Sequence, residues 1–386
     1  MLPRGSAPEI GHDALEVRSR DGSPARWSTW LPRRQAALGL SATAAPWLGF
    51  VLLGAALGPQ ALGVLSPDLL RRLDVVVSVG LAMLGVFVGL GLGGAVGQGG
   101  ARLLTAATIE TFFTIVVVSG AMYVLLSTWA LPLPADAALV AVALGVCSCA
   151  SAALRVPESG SPAARRASRI ADLDDLPLII LGAFVVAIFG RQTGIVTGVL
   201  AAAAVGLTVG AAGWLLFERA YGQAERAVFV VGTIVLLGGL GAYMGTSPLL
   251  SGCAAALVWV RTPGAADRII GADLRKLQHP LVALLLLIAG AAIQWNAALL
   301  WITAPLVLFR LTGKLLAGAL AARIADVPTG LLATVLVPPG VIGIALALNL
   351  EQVLTGGTLL LSGITVAAVV SEVLAVWVLG GAEDVR

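Results

Sequence analysis

Charged residues are scarce in this sequence. Only 12% of its 386 residues are charged and 58% are hydrophobic, whereas a soluble domain usually carries about 25% charged residues. This composition excludes a soluble enzyme and a soluble nucleic-acid binder. Two histidines and three cysteines without a CxxC pair leave no pattern typical of a zinc site, a histidine-rich metal centre or a disulfide framework. We therefore expect no enzymatic activity and no cofactor.

Lysine is also scarce. Lys276 and Lys314 are the two lysines, and the other 22 of the 24 Lys and Arg residues are arginine. The net charge is only +3. In such an apolar chain, basic residues usually set the orientation in a membrane and do not form a nucleic-acid surface. We therefore predict a polytopic membrane protein whose surroundings are the lipid bilayer, with no nucleic-acid partner.

Apolar stretches long enough to cross about 30 Å of hydrocarbon recur from residue 40 onward and predict an all-α protein. About twelve transmembrane spans are expected, near residues 46–64, 74–95, 105–131, 136–154, 170–190, 193–217, 226–244, 247–261, 278–295, 297–323, 329–349 and 358–380. Residues 1–38 are polar and arginine-rich and lack the apolar core of a signal peptide. They predict a disordered cytoplasmic tail before a membrane domain at 39–386.

The distribution of basic residues between the loops predicts the orientation. With the N-terminus inside, twelve Arg or Lys residues fall in cytoplasmic loops, and only Arg71, Arg72 and Arg191 fall on the opposite side. This asymmetry agrees with the positive-inside rule. We expect a multi-pass protein of the cell inner membrane with both termini in the cytoplasm.

Two spans that lie seven apart carry interruptions. Span eleven contains Pro338, Pro339 and Gly340, and two consecutive prolines remove backbone donors in the middle of the membrane. Span four contains the polar run 147–151. Interrupted spans at matching positions of two inverted halves are typical of secondary transporters. For span four, ordinary packing of small residues is an equally open alternative.

Ionisable residues stand inside several spans, although each charge at the bilayer centre costs about 2.5–3.5 kcal/mol. They are Glu110 in span three, Asp172, Asp174 and Asp175 in span five, Arg310 and Lys314 in span ten, and Glu372 in span twelve. Because these spans flank the interrupted ones, we predict a single polar core. Ser148, Cys149 and Ser151 of span four are expected to join it.

The acidic run suggests an exchange site. A carboxylate that binds either a proton or a monovalent cation makes the two ligands compete, and carbonyls of broken helices could complete the cation's oxygen shell. On one helix, Asp172 and Asp175 would share a face.

Structural alternatives stay open for three of these residues. Asp172 could cap a helix, and Glu110 could reach the cytoplasmic interface. Arg310 could pair with Glu110 or Glu372 only to hold helices together.

The sequence resembles the membrane domain of the monovalent cation:proton antiporter-2 family, which includes Kef-type potassium efflux systems and sodium/proton antiporters. The matching motifs follow one another in order over residues 46–380. The first is the glycine-rich run 49–63 followed by Ser66-Pro67, and the second is Phe87-Val-Gly89-Leu90. The third is Asp174-Asp175-Leu176-Pro177, with Arg165 ten residues before Asp175. The last two are Leu249-Leu250-Ser251-Gly252-Cys253 with Trp259, and Gly313-Lys314 with Arg323.

The resemblance implies a sodium/proton antiporter fold with inverted repeats and two broken, crossing helices. It implies that Asp175 carries the cation or proton, that Asp174 pairs with Lys314, and that Asp174 and Asp175 together form the monovalent-cation site. It further implies a core, at about 105–190 and 297–380, that moves like an elevator against a scaffold at about 46–95 and 193–295. The scaffold would form a homodimer.

Two departures from the family pattern matter. The family's Arg-Gly-Glu in span eleven is Pro339-Gly340-Val341 here, and an alternative register places Asp172 at the carrier position. The leading hypothesis is exchange of Na⁺, K⁺ or Li⁺ for H⁺. A Na⁺-coupled organic-anion symporter and a transporter-derived scaffold or sensor without transport are the alternatives.

Overall fold

The computed structural model of the chain describes residues 47–129, 133, 135–151, 161–190, 194–262, 266–354 and 356–380. Within these residues the regular structure is helical, and one isolated β-bridge joins two non-helical segments. The all-α prediction is confirmed. The predicted cytoplasmic tail at 1–38 lies outside the described residues.

The described part contains helices over most of its length, and their bounds follow the predicted spans. In chain order they are α1 (Trp47–Leu57), α2 (Pro67–Arg72), α3 (Asp74–Thr128), α4 (Ala137–Ser148), α5 (Pro162–Leu173), α6 (Asp175–Phe189), α7 (Ile195–Arg219), α8 (Gln223–Met244), α9 (Pro248–Arg261), α10 (Ala266–Ala291), α11 (Ala297–Ala325), α12 (Thr329–Leu336), α13 (Val341–Glu351) and α14 (Thr358–Gly380).

Among the described residues, six helical segments are long and apolar enough to cross a membrane. They are Asp74–Leu92, Ala101–Thr128, Ile195–Arg219, Ala224–Met244, Ala297–Ala325 and Thr358–Ala375. Shorter apolar helices occupy spans one, four, eight, nine and eleven. Spans two and three are both found, and they lie within the continuous helix α3. Glycine lowers helix propensity by about 1 kcal/mol but keeps its N–H donor, so a glycine-rich connection can remain helical.

Polar side chains begin several helices at the positions where the apolar pattern starts. The carboxylate of Asp136 accepts the N–H of Ala138, and the hydroxyls of Ser161 and Ser247 accept N–H groups at the starts of α5 and α9. Proline follows both serines, in the first turn, where its missing N–H costs nothing. These caps fix where the short helices begin.

The interruptions in spans four and eleven are present and lie against each other. Span four is helical only to Ser148, and span eleven is divided into α12 and α13. The chain is extended at both breaks, where Ser151 and Pro339 form an antiparallel bridge. The N–H of Gly340 donates to the carbonyl of Ala150 at 3.0 Å. The two helices are therefore broken and crossing, and small-residue packing alone does not describe span four.

Close backbone contact at this crossing requires glycine. A Cβ atom at Gly343, in the first turn of α13, would lie 2.1 Å from the carbonyl oxygen of Cys147. A backbone oxygen cannot move aside as a side chain can. The same requirement holds where α9 packs on α3, because a Cβ at Gly252 would lie 1.9 Å from the carbonyl oxygen of Ala82.

The helices that carry ionisable residues meet beside the crossing. Helix α3 packs against α4, α5, α9 and α11, and α14 packs against α11, α13 and α4. Glu110, Asp174, Lys314 and Glu372 are all buried within this arrangement. The fold therefore gathers charges from four separate parts of the sequence into the protein interior.

We expect Gly343→Ala to lower the free energy of unfolding by about 1–3 kcal/mol, the usual cost of overpacking. Gly330→Ala on α12 is the matched control, because a Cβ there meets no atom within 4 Å. Thermal unfolding of both variants in detergent measures the difference. Equal melting temperatures would contradict the close contact at the crossing.

Candidate functional site

Arg310 lies on α11 with its guanidinium against the crossing. Its Nε donates to the carbonyl of Ser148 at 2.7 Å, Nη1 to that of Val337 at 2.7 Å, and Nη2 to that of Ala150 at 3.1 Å. The side chain is buried. A planar guanidinium offers five donors in a fixed geometry, so one residue pairs carbonyls from both broken helices.

These contacts give Arg310 backbone partners that the sequence did not indicate. Carbonyls of the broken helices were expected to complete a cation's shell, and three of them accept from this guanidinium. A positive group of the protein itself therefore occupies this side of the crossing.

Lys314 lies one turn further along α11 and is the centre of a buried ion cluster. Its Nζ lies 2.7 Å from Oγ of Ser151, 2.9 Å from Oε1 of Glu110 and 3.4 Å from Oδ2 of Asp174. The side chains of Lys314, Glu110 and Asp174 have no solvent exposure. The ammonium group donates to Ser151 and Asp174, and Glu110 is its nearest ion-pair partner.

Glu110 does not reach the membrane interface, which was the structural alternative. It is buried on α3, and the hydroxyl of Thr114 donates to its Oε1 at 3.2 Å. Sequence analysis missed Thr114. The signal was available, since a hydroxyl four residues after a buried glutamate lies on the same face of a helix.

Asp174 and Asp175 lie at the junction of α5 and α6. Asp174 is the single residue between the two helices, and Asp175 begins α6, where the helix dipole favours an acidic side chain. Asp174 is fully buried and Asp175 is half-buried. The Oδ1 atom of each has no hydrogen-bond partner within the described part of the chain.

Asp172 is placed differently from the two carboxylates that follow it. It belongs to α5, which the sequence analysis did not predict as a separate helix, and its side chain is exposed. Asp172 and Asp175 were expected to share a helix face, but Asp172 is exposed whereas Asp175 is half-buried.

The remaining members of the predicted polar core, on α14 and at the end of span four, are buried as well. The hydroxyl of Ser148 donates to the carbonyl of Gly145 in its own helix, and the thiol of Cys149 lies 3.6 Å from the carbonyl oxygen of Thr111. Glu372, on α14, has no solvent exposure. Pro338 and Pro339 lie in the break between α12 and α13, where Pro339 forms the bridge with Ser151.

Asn349 is a second polar contact that sequence analysis missed. It lies on α13, and its Nδ2 donates to the hydroxyl of Ser247 at 2.9 Å. Both residues are buried. An amide in an otherwise aliphatic span was a usable signal, because such a group needs a partner in hydrocarbon.

The charges of the site do not balance. Three carboxylates, Glu110, Asp174 and Asp175, lie near two cations, Arg310 and Lys314. With all five groups ionised, their sum is one negative charge. One monovalent cation or one proton would neutralise this group of residues.

The fold is similar to that of the sodium proton antiporter MjNhaP1 from Methanocaldococcus jannaschii. The TM-score is 0.61 at 15% sequence identity, and the match covers 90% of this chain and 95% of that protein. At this identity the similarity concerns the fold, and it agrees with the sodium/proton antiporter fold expected from the sequence.

The sequence matches no protein-family model and no curated protein. The narrower assignment to the monovalent cation:proton antiporter-2 family therefore stays a prediction.

We expect Lys314→Ala to lower the free energy of unfolding by about 3–5 kcal/mol, because removing one partner leaves buried carboxylates without their counter-ion. Arg323→Ala is the matched control, since Arg323 is an exposed cation on the same helix. A surface substitution of this kind usually changes stability by no more than about 0.5 kcal/mol. Thermal-shift measurement in detergent compares them, and equal losses would contradict the buried cluster.

Proposed function

We propose that this protein is a secondary active antiporter that exchanges a monovalent cation for H⁺. The observation that carries the proposal is the buried Glu110–Lys314–Asp174 cluster, with half-buried Asp175 beside it, at the crossing of two broken helices. The fold similarity to a sodium proton antiporter supports it. Na⁺ is the first candidate substrate, with K⁺ and Li⁺ as the other ions to test.

In this proposal Asp175 is the carrier. Its carboxylate is next to Asp174 and is partly accessible, while Arg310 and Lys314 hold positive charge deeper in the protein. A carboxylate can bind a hard cation through its oxygens or bind a proton, and it cannot fully do both. Asp174, beside it, would supply a further oxygen ligand. Carbonyls at the crossing or water would complete the cation's shell.

The transport cycle we propose is of the elevator type. Residues 105–190 and 297–380 would form a core that carries the site, and residues 46–95 and 193–295 would form the scaffold of a homodimer. The protein would lie in the inner membrane with both termini in the cytoplasm. This part of the proposal depends on the resemblance of the sequence motifs.

One sequence observation favours a second candidate function. The charged Arg-Gly-Glu of span eleven is replaced by Pro339-Gly340-Val341, which suits a scaffold or sensor that has lost transport. A Na⁺-coupled organic-anion symporter is the third possibility. A pH-dye assay in everted vesicles, challenged in turn with Na⁺, K⁺ and Li⁺, distinguishes them, because only an antiporter moves protons in response to the cation alone.

We expect Asp175→Asn to fold and to lose cation-induced proton movement. Asparagine keeps the volume of the side chain but can neither release a proton nor offer a full negative charge. The same vesicle assay measures the loss, with Glu218→Gln, an exposed carboxylate on α7, as the control. Wild-type exchange by Asp175→Asn together with an inactive Asp172→Asn would assign the carrier to Asp172.

Competition at one carboxylate also predicts how transport depends on pH. The apparent KM for Na⁺ should rise as the pH falls, by up to about tenfold per unit where the site is mostly protonated, because linkage between two ligands is reciprocal. The measurement is the KM in proteoliposomes at pH values from about 6 to about 8.5. A constant KM over this range would exclude a shared site.

A further inference from the structure

Lys314 has two carboxylate partners, and the nearer one is not the aspartate that the sequence motif indicates. Its Nζ is 2.9 Å from Glu110 and 3.4 Å from Asp174. Both carboxylates are fully buried, so solvent does not screen either contact. The lysine is therefore shared between helix α3 and the α5–α6 junction, with the shorter contact on α3.

The two carboxylates are held differently. Glu110 Oε1 lies 2.9 Å from Nζ of Lys314 in an ion pair and accepts a hydrogen bond from Thr114. These three residues lie on the long helices α3 and α11. Asp174 contacts Lys314 through Oδ2 at the longer distance of 3.4 Å, and Ser151 is a second side-chain partner of Asp174. Its Oδ1 has no hydrogen-bond partner within the described residues. Asp174 is thus the more distant of the two carboxylates from the lysine and has one oxygen without a partner there.

A cation that reaches Asp174 and Asp175 must compete with Lys314. If Asp174 were the lysine's sole counter-ion, each cation that entered would leave a buried ammonium group unpaired, which is strongly unfavourable in a low-dielectric interior. Because Glu110 is a second counter-ion, the ammonium group of Lys314 is not left unpaired. Lys314 can keep a counter-ion at 2.9 Å while Asp174 turns toward the arriving cation.

On the basis of the proposed antiport function, we propose that Glu110 is a positioning residue that holds Lys314 by an ion pair and so frees Asp174 to bind the transported cation. Glu110 itself does not contact the cation. The role depends on the negative charge of Glu110 and on its reach to Nζ, both of which can be varied separately.

The decisive variant is Glu110→Gln, which keeps the length of the side chain and removes its charge. Lys314 then has Asp174 as its nearest charged partner and should compete with the cation for it. We expect the apparent KM for Na⁺ to rise about tenfold, within the usual 5–150-fold range of coupling between sites, with Vmax changed by less than about twofold. A purely structural role would reduce the amount of folded protein and leave the KM of the remainder unchanged.

Two further variants complete the transport experiment in proteoliposomes. Glu110→Asp keeps the charge on a shorter side chain and should give a KM between those of the wild type and Glu110→Gln. Glu218→Gln, which removes an exposed carboxylate, should leave the KM unchanged. If Glu110→Gln does not accumulate, Glu110→Asp decides, and a wild-type KM in the measurable Glu110 variant overturns the proposal.

A stability comparison tests the pairing without any transport. Because Glu110 is the nearer counter-ion, Glu110→Gln should lower the melting temperature in detergent more than Asp174→Asn does. The reverse order, or equal losses, would overturn the assignment of Glu110. Absence of proton movement by the wild type with Na⁺, K⁺ and Li⁺ would instead refute the antiport function, and the two failures are therefore distinguishable.

Discussion

The hydrogen bonds from Arg310 to the carbonyls of Ser148, Ala150 and Val337 are the contacts on which the rest of the site depends. A helix that stops inside a membrane leaves carbonyl groups without donors, and lipid offers none. One guanidinium pairs three of these groups and links both broken helices. The irregular backbone that positions Ser151 next to Lys314 can persist in a hydrophobic environment because of this residue.

The two cations of α11 consequently have separate tasks, although they are only one turn apart. Arg310 is bound to backbone and holds the crossing, whereas Lys314 is bound to side chains that a change of charge can rearrange. Arginine suits the first task, because its fork of donors has a fixed geometry, and lysine suits the second, because its ammonium is a compact charge on a flexible chain. Exchanging the two residue types would therefore disturb both tasks.

The break in span eleven could be predicted from sequence, because consecutive prolines at Pro338 and Pro339 forbid a regular helix. The break in span four was predicted only as one of two alternatives, since Ser148 and Cys149 are compatible with a helix and the interruption depends on a bridge to Pro339, far away in sequence. Lys314 was recognisable as a buried cation, but its shorter contact with Glu110 depends on how α3 and α11 pack. The hydrogen bonds made by Arg310 could not be predicted from the sequence. Every residue has a backbone carbonyl group, so residue types do not indicate which carbonyls accept.

The carbonyl of Ala150 accepts two hydrogen bonds, from the N–H of Gly340 and from Arg310. This one carbonyl oxygen therefore links the end of span four to the start of α13 and to the middle of α11 by hydrogen bonds. Sliding any one of these three segments past the others would break bonds that hydrocarbon cannot replace. These bonds therefore hold the three segments together as one unit at the crossing.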